Sequence, residues 1–237
     1  MRGVRRYFMG ITLLVSVFTG VSAQRTGVSA MLGGATVKMD DMKYLMDIIL
    51  ESYPVEGAII TSFPPYFNGS VNVYRQIYPH LRAGAGYTYT STGARANYSD
   101  YSGSISTDMF IVSHRLGLSL NYSLIGTDRL DLSLYGRLDA NYSKMDITST
   151  VYVLDRTSIS KFQYSSISPN GSAGLEFLYK FKDSAIGIEG GYLVDLPGKL
   201  KDRETDNELL DPNDSQRVLT TDWSGWRIGI KGIIWIK

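Results

Sequence analysis

The chain has 237 residues, with 24 lysines and arginines against 23 aspartates and glutamates, and no cysteine. So even a balance lacks the clustered basic surface that nucleic-acid binding requires, and without cysteine there is no disulfide, thiolate metal site or lipid-bearing cysteine anchor. Hydrophobic residues make up 43%, with 17 Tyr and 24 Gly; no apolar run beyond the first two dozen residues is long enough for a membrane helix, so entry into a bilayer would have to be through alternating strands.

The chain opens on Arg2, Arg5 and Arg6, runs through an apolar stretch from Phe8 to Phe18, and reaches the small residues Val21-Ser22-Ala23. That order is the pattern of a secretory signal peptide, and the apolar stretch is too short to span a bilayer as a helix. Residues 1–23 are therefore read as a signal peptide cleaved before Gln24, and 24–237 as one exported domain. Cleavage removes three arginines and no acid, leaving 21 basic residues against 23 acidic ones.

Successive residues of a strand point to opposite faces, so alternation between two environments marks the strands. Val28 to Thr36 is a first, weak candidate. In the segment after it Met42, Leu45, Met46, Ile49, Leu50 and Tyr53 recur at helical spacing instead. Asp40 and Asp41 stand at its start, Pro54 at its end, and Lys43, Asp47 and Glu51 on the opposite side. An amphipathic helix is expected there, packed within its own loop beside Phe63 to Phe67. The barrel mouth, where it would be a lid, and the membrane surface are the alternatives.

Phe67 to Ile77 is a second weak strand. Leu81, Ala83, Ala85, Tyr87 and Tyr89 then alternate with Arg82, Gly84, Gly86, Thr88 and Thr90, and Leu116, Leu118, Leu120, Tyr122 and Leu124 with Arg115, Gly117, Ser119, Asn121 and Ser123. The clearest strand runs from Leu130 to Ser143, where Leu130, Leu132, Leu134, Gly136, Leu138, Ala140 and Tyr142 oppose Asp131, Ser133, Tyr135, Arg137, Asp139, Asn141 and Ser143. Ala173, Leu175, Phe177, Tyr179 and Phe181 oppose Ser172, Gly174, Glu176, Leu178 and Lys180. Ile186, Ile188, Gly190, Tyr192 and Val194 oppose Glu189, and Trp226, Ile228, Ile230, Ile234 and Ile236 oppose Arg227 and Lys231.

Short connections near Tyr78-Pro79, Gly126-Thr127-Asp128 and Lys182-Asp183-Ser184 alternate with long ones at Val37 to Phe63, Gly93 to Gly103, Val151 to Ser158 and Leu196 to Asp222. Membrane barrels combine short periplasmic turns with longer external loops. The fold expected is all-β: an eight-stranded antiparallel transmembrane β-barrel with a short amphipathic helix in the first external loop. A soluble barrel also alternates, but a cavity for an apolar ligand would not take so many charges, and the Gly, Ala and terminal Tyr of the apolar faces suit lipid with an aromatic girdle.

At eight strands the interior is just wide enough to be filled by side chains. The inward set holds Arg82, Arg115, Arg137, Lys180, Arg227 and Lys231 with Asp131, Asp139, Glu176 and Glu189, and these are expected to pair into a polar plug, a conducting pore or a buried acid/base pair being the alternatives. His80 and His114 are the available imidazoles; they are not expected to meet, and Ser113 points away from its neighbour His114. The Asn-Tyr-Ser triplets at Asn97, Asn121 and Asn141 match a glycosylation sequon but are read as strand texture. Asp202, Glu204, Asp206, Glu208, Asp211 and Asp214 stand against Lys199, Lys201, Arg203 and Arg217 in the last long loop; their spacing lacks the glycine and terminal glutamate of an EF-hand, and a solvated loop is expected.

Met39-Asp40-Asp41-Met42-Lys43, Phe63-Pro64-Pro65-Tyr66-Phe67, Ser91-Thr92-Gly93-Ala94-Arg95, Asp100-Tyr101-Ser102-Gly103 and Trp223-Ser224-Gly225-Trp226-Arg227 together resemble a family of small bacterial outer-membrane β-barrel domain proteins. In size and loop pattern the chain is also similar to the OmpX/OmpA class of small barrels. The resemblance implies fold and location and supplies no catalytic residue, since the family carries no assigned activity. The C-terminal Trp235-Ile236-Lys237 departs from the aromatic ending usual among such barrels.

Two function classes follow. The first is a non-enzymatic barrel with a plugged polar lumen, whose external loops serve surface interaction or envelope structure. The second is an outer-membrane lipid-modifying enzyme of the lipid A acyl hydrolase or transferase type, which would need a nucleophile beside a base. No catalytic residue, cofactor or metal ligand is assigned. The expected surroundings are outer-membrane lipid and lipopolysaccharide, the expected state is a monomer, and an extracellular partner is left open.

Overall fold

The structure is a computed structural model that describes residues 25–53, 58–101, 103–154 and 156–236; the signal peptide, its cleavage site and Pro54 lie outside them. Twelve strands and one helix follow in chain order. They are β1 (Thr26–Ala35), α1 (Asp40–Glu51), β2 (Ala58–Ser62), β3 (Tyr66–Tyr78), β4 (Leu81–Ser99), β5 (Gly103–Gly126), β6 (Leu130–Val153), β7 (Arg156–Lys180), β8 (Ser184–Asp195), the short β9 (Lys201–Asp202), β10 (Leu210–Asp211) and β11 (Asp214–Val218), and β12 (Gly225–Ile236).

Eight of the strands close a ring in the order β1, β3, β4, β5, β6, β7, β8, β12, with every neighbouring pair antiparallel. The ring shuts where the first and last strands meet, Thr26 opposite Ile236 and Ala35 opposite Arg227. Closure leaves no sheet edge inside a bilayer, where an unpaired backbone group would cost several kcal/mol. Both chain ends of the ring lie at the end with the short turns, and the helix and long loop lie at the other.

Side chains follow the expected parity. Leu116, Leu118, Leu120, Leu138, Leu175, Ile228, Ile230 and Ile234 point outward and are each more than half exposed, an apolar belt far larger than a soluble monomer leaves bare. The opposite parity points into the lumen, where two of the glycines make room for polar side chains of the neighbouring strand. A Cβ on Gly86 would lie 2.0 Å from Asn72 Oδ1, and one on Gly117 equally close to Asp139 Oδ1.

Three features differ from expectation. The connections at Gly93 to Gly103 and Val151 to Ser158 are mostly strand, because β4 continues to Ser99 and β5, β6 and β7 reach 24, 24 and 25 residues. That is about 80 Å of chain at roughly 3.3 Å per residue, where a tilted strand crosses the hydrocarbon in about 9–11 residues. Beyond the bilayer both faces of these strands meet water or the loops, so the hydrophobic alternation that marks a membrane strand disappears while the pairing continues. The outer halves of β4 to β7 form a standing fin, and β2 pairs along β4 at Ala58↔Asn97 and Ser62↔Ala94.

The lumenal face is likewise not polar throughout. Leu178 and Ile233 point inward, are fully buried, and pack with Ala185 and Trp235 at the short-turn end. The last long loop, finally, is folded rather than merely solvated. It carries the β10–β11 hairpin, a bridge from β9 to Tyr164 and Ser165 of β7, and the buried side chains of Leu200, Leu219 and Trp223.

Candidate functional site

From the short-turn end upward the lumen is a stack of layers. Above the apolar foot lies a network centred on Glu176, which is fully buried. Its carboxylate accepts hydrogen bonds from Arg82 Nη2 at 2.7 Å and from Lys231 Nζ, and Lys231 also reaches Glu189 at 2.6 Å and the Tyr74 hydroxyl at 3.1 Å. Arg82 donates to Ser133 at 2.9 Å and lies 3.8 Å from Asp131, whose oxygen takes the Ser133 and Ser123 hydroxyls at 2.8 Å each. One further ion pair, Arg137 with Asp139, stands above, and Arg137 also donates to Asn72 Oδ1 at 2.6 Å and to the Gly86 carbonyl at 3.0 Å.

Seven of the ten charges singled out in the sequence are thereby brought together through carboxylate pairs. The other three behave differently. Arg115 is satisfied by neutral groups, Asn68 Oδ1 at 3.1 Å and Thr90 Oγ1 at 2.9 Å. Arg227 donates to the carbonyls of Gly225 and Trp223 at 3.2 and 3.1 Å. Lys180 stands half-buried at the short-turn rim, outside these pairs. Asp195 was missed in the sequence, although it shares the parity of Glu189. Its carboxylate accepts the Ser168 hydroxyl at 2.9 Å and the Trp223 backbone N–H at 3.1 Å, tying the last loop to the barrel.

The top layer is apolar. Met42, Leu45 and Met46 of α1 pack against Met109, Ile111, Met145 and Ile147 of β5 and β6, with Leu193, Leu200, Leu219, Trp223 and Phe63 around them. The helix therefore sits in the barrel mouth, not merely within its own loop, because the inward positions of β5 and β6 become apolar at that height and offer a larger dry surface than Phe63 alone. Asp41 does not cap its own helix. The residue before α1, Met39, takes a left-handed φ of 50° with no side-chain cap, and Asp41 instead accepts the Thr220 N–H at 2.9 Å, its hydroxyl at 2.8 Å, and Arg217. Hydrogen bonding to Asp41 holds the Arg217 guanidinium above its ordinary pKa. Tyr53 closes the far end through Thr107 at 2.8 Å, and the Trp223 indole donates down to Ser143 at 2.7 Å.

The remaining candidates are dispersed. The Tyr87 hydroxyl and His114 Nδ1 are hydrogen-bonded at 2.7 Å on the outer face, with the Tyr89 ring edge-on to the imidazole at 5.6 Å. Ser113 points inward and donates to Asn141 Oδ1 at 2.6 Å. His80 lies at the β3–β4 turn, where its carbonyl accepts the Ser123 N–H. Asn121 and Asn141 are buried in the lumen, which closes them to glycosylation. Three of the six acids of the last loop pair with its bases, Lys199 with Glu208, Lys201 with Asp206 and Arg217 with Asp211. Among the described residues no group of three or more His, Asp or Glu is placed to hold a metal ion.

No protein-family model and no curated protein sequence matches the chain. Solved structures do. A major outer membrane protein from Thermus thermophilus superposes with a TM-score of 0.53 at 13% identity, over 90% of this chain and 100% of that one. The fold is that of a small outer-membrane β-barrel. Ail, the attachment invasion locus protein of Yersinia pestis, matches at 13% identity over 89% of this chain and 98% of that chain with a TM-score of 0.45, and the outer membrane protease OmpT from Escherichia coli at 10% identity over 89% and 94% with 0.36. At these identities the likeness is one of fold.

Proposed function

We propose that this protein is a non-enzymatic barrel of the bacterial outer membrane, exported through its N-terminal signal, that is sealed along its lumen and acts through the fin it raises outside the cell. The observation that carries the reading is the fin itself. Three strands continue for more than twice the length a bilayer needs, and their far ends carry apolar side chains that are left exposed among the described residues. Tyr101 is fully exposed at the β4–β5 tip, Leu154 is 81% exposed at the β6–β7 tip, and Ile159 and Phe162 below it are 59% and 50% exposed.

Leu154 adds a second clue, since it holds a left-handed φ of 45°. A bulky residue in that region costs on the order of 1 kcal/mol relative to asparagine or glycine, so a leucine there meets no folding need. Among the described residues no strand pairs with Arg156 to Phe162 on the side of β7 away from β6, and such an edge accepts an extended segment of another protein.

The test is a fourfold variant, Tyr101→Ser, Leu154→Asn, Ile159→Ser and Phe162→Ser, displayed on cells beside the wild type. Retention of cells on a panel of immobilised extracellular proteins should drop to the level of cells lacking the protein, while folding in detergent is unchanged. Wild-type cells retained no better than cells lacking the protein would overturn the proposal.

A further inference from the structure

The outer wall of the barrel is not evenly covered by its side chains. In one register row across four strands Leu175, Gly190, Ile228 and Gly34 lie side by side, and in the next row toward the fin Ala173, Tyr192 and Trp226 do the same. All point outward. Small residues in the two rows leave a depression of about 650 Å³, within the range of roughly 300–1,000 Å³ typical of ligand pockets. Tyr192 and Trp226, edge to face at 5.2 Å, form its wall on the side of the external loops.

The glycines of the floor are not there to let the backbone pack. A Cβ on Gly34 would meet nothing nearer than 3.8 Å, and one on Gly190 nothing nearer than 3.7 Å. Their neighbours on the lumenal parity are the opposite case, with Cβ contacts of 2.5 Å at Gly33 to the Gly229 Cα and 2.3 Å at Gly191 to the Tyr135 hydroxyl. Glycine also weakens a strand interior. At Gly34 and Gly190 it has a cost without a packing reason, and what it yields is the groove.

We infer that this groove is a seat for one acyl chain of an outer-leaflet lipid. It is continuous with the belt of outward leucines and isoleucines that faces hydrocarbon, so the bilayer itself is what lies against it. The outward side chains of its floor and walls are hydrocarbon apart from the Tyr192 hydroxyl, the Trp226 indole N–H and the Thr36 hydroxyl, which is already engaged by the Trp226 backbone N–H at 2.9 Å, and a polar ligand there would lose most of its hydration without compensation. The Tyr192–Trp226 pair sits where an aromatic girdle marks the interface, which places the seat just below headgroup level. The inference rests on the outer-membrane reading above.

The test uses the full mature chain in nanodiscs of dimyristoylphosphatidylcholine, released into the gas phase for native mass spectrometry. Wild-type protein should retain one lipid under activation that strips the rest, and Gly34→Leu with Gly190→Leu should abolish that retention, since leucine fits both positions and fills the groove. A second readout is quenching of Trp226 emission by phosphatidylcholine with brominated chains, which should weaken in the double variant. Equal retention by wild type and variant, or a lipid-free dimer of the wild type, would overturn the seat while leaving the barrel reading intact. Failure of the wild type to insert into the nanodisc at all would overturn both.

Discussion

Replacing Lys231 with methionine is expected to destabilise the folded barrel by about 3–5 kcal/mol, the usual cost of removing one partner from a buried ion pair. Lys231 is fully buried, and its ammonium serves Glu176, Glu189 and the Tyr74 hydroxyl together. Methionine fills nearly the same volume, so the loss is one of charge and not of packing. Glu176 would keep Arg82, at 2.7 Å, but a second carboxylate, Glu189, would be left facing it without a cation. Adding Glu189→Gln should recover part of the loss, because the carboxylate left without a cation becomes neutral while Glu176 keeps Arg82. Chemical unfolding and refolding in detergent micelles measures both. A single variant within about 1 kcal/mol of wild type would show that the network is hydrated enough to lose its lysine, contrary to the burial argument.

The second large effect concerns the cap. Met42→Asp with Met46→Asp places two carboxylates where the native side chains are fully buried against Met109, Ile111 and Met145. Burying an ionised group without a partner costs several kcal/mol. A 12-residue helix has little stability of its own to set against that. The helix should therefore leave the mouth, while the ring, whose hydrogen bonds it does not share, stays closed. Limited proteolysis should cut at Lys43 and around Tyr53 in the variant, and amide protons from Asp41 to Ser52 should exchange freely. The Arg217–Asp41 link and the Tyr53–Thr107 bond would be lost with them. Unchanged protection of this segment would mean that the helix is not held by the mouth.

The ring was legible in the sequence because lipid and lumen impose opposite demands on alternate residues. From Leu130 to Ser143 the two faces read off correctly residue by residue, and the ten lumenal charges all fall inside or at the rim. Pairing among them could not be read, since it depends on which strands meet across the lumen: Arg115 finds Asn68 and Thr90 instead of an acid. The fin was missed for a physical reason, as Thr148, Ser149 and Thr150 of β6 meet no lipid and so carry no apolar signal. The helix was visible by its period, but its docking site was not. Met109, Ile111, Met145 and Ile147 sit at inward parity beyond the charged zone, and that switch from polar to apolar along one face was the sign available. Trp223, in a stretch that reads as polar loop, gave no comparable warning.

On the proposed reading the Leu178–Ile233 foot, the Glu176 network and the methionine-rich cap shut the barrel in series, and the protein acts through its external fin. Current through the purified, folded protein in a planar bilayer tests this most directly. A lumen filled with side chains at this strand number should give no steady conductance above the bare membrane over the voltage range the membrane survives. Sustained porin-sized steps from the intact chain would contradict it.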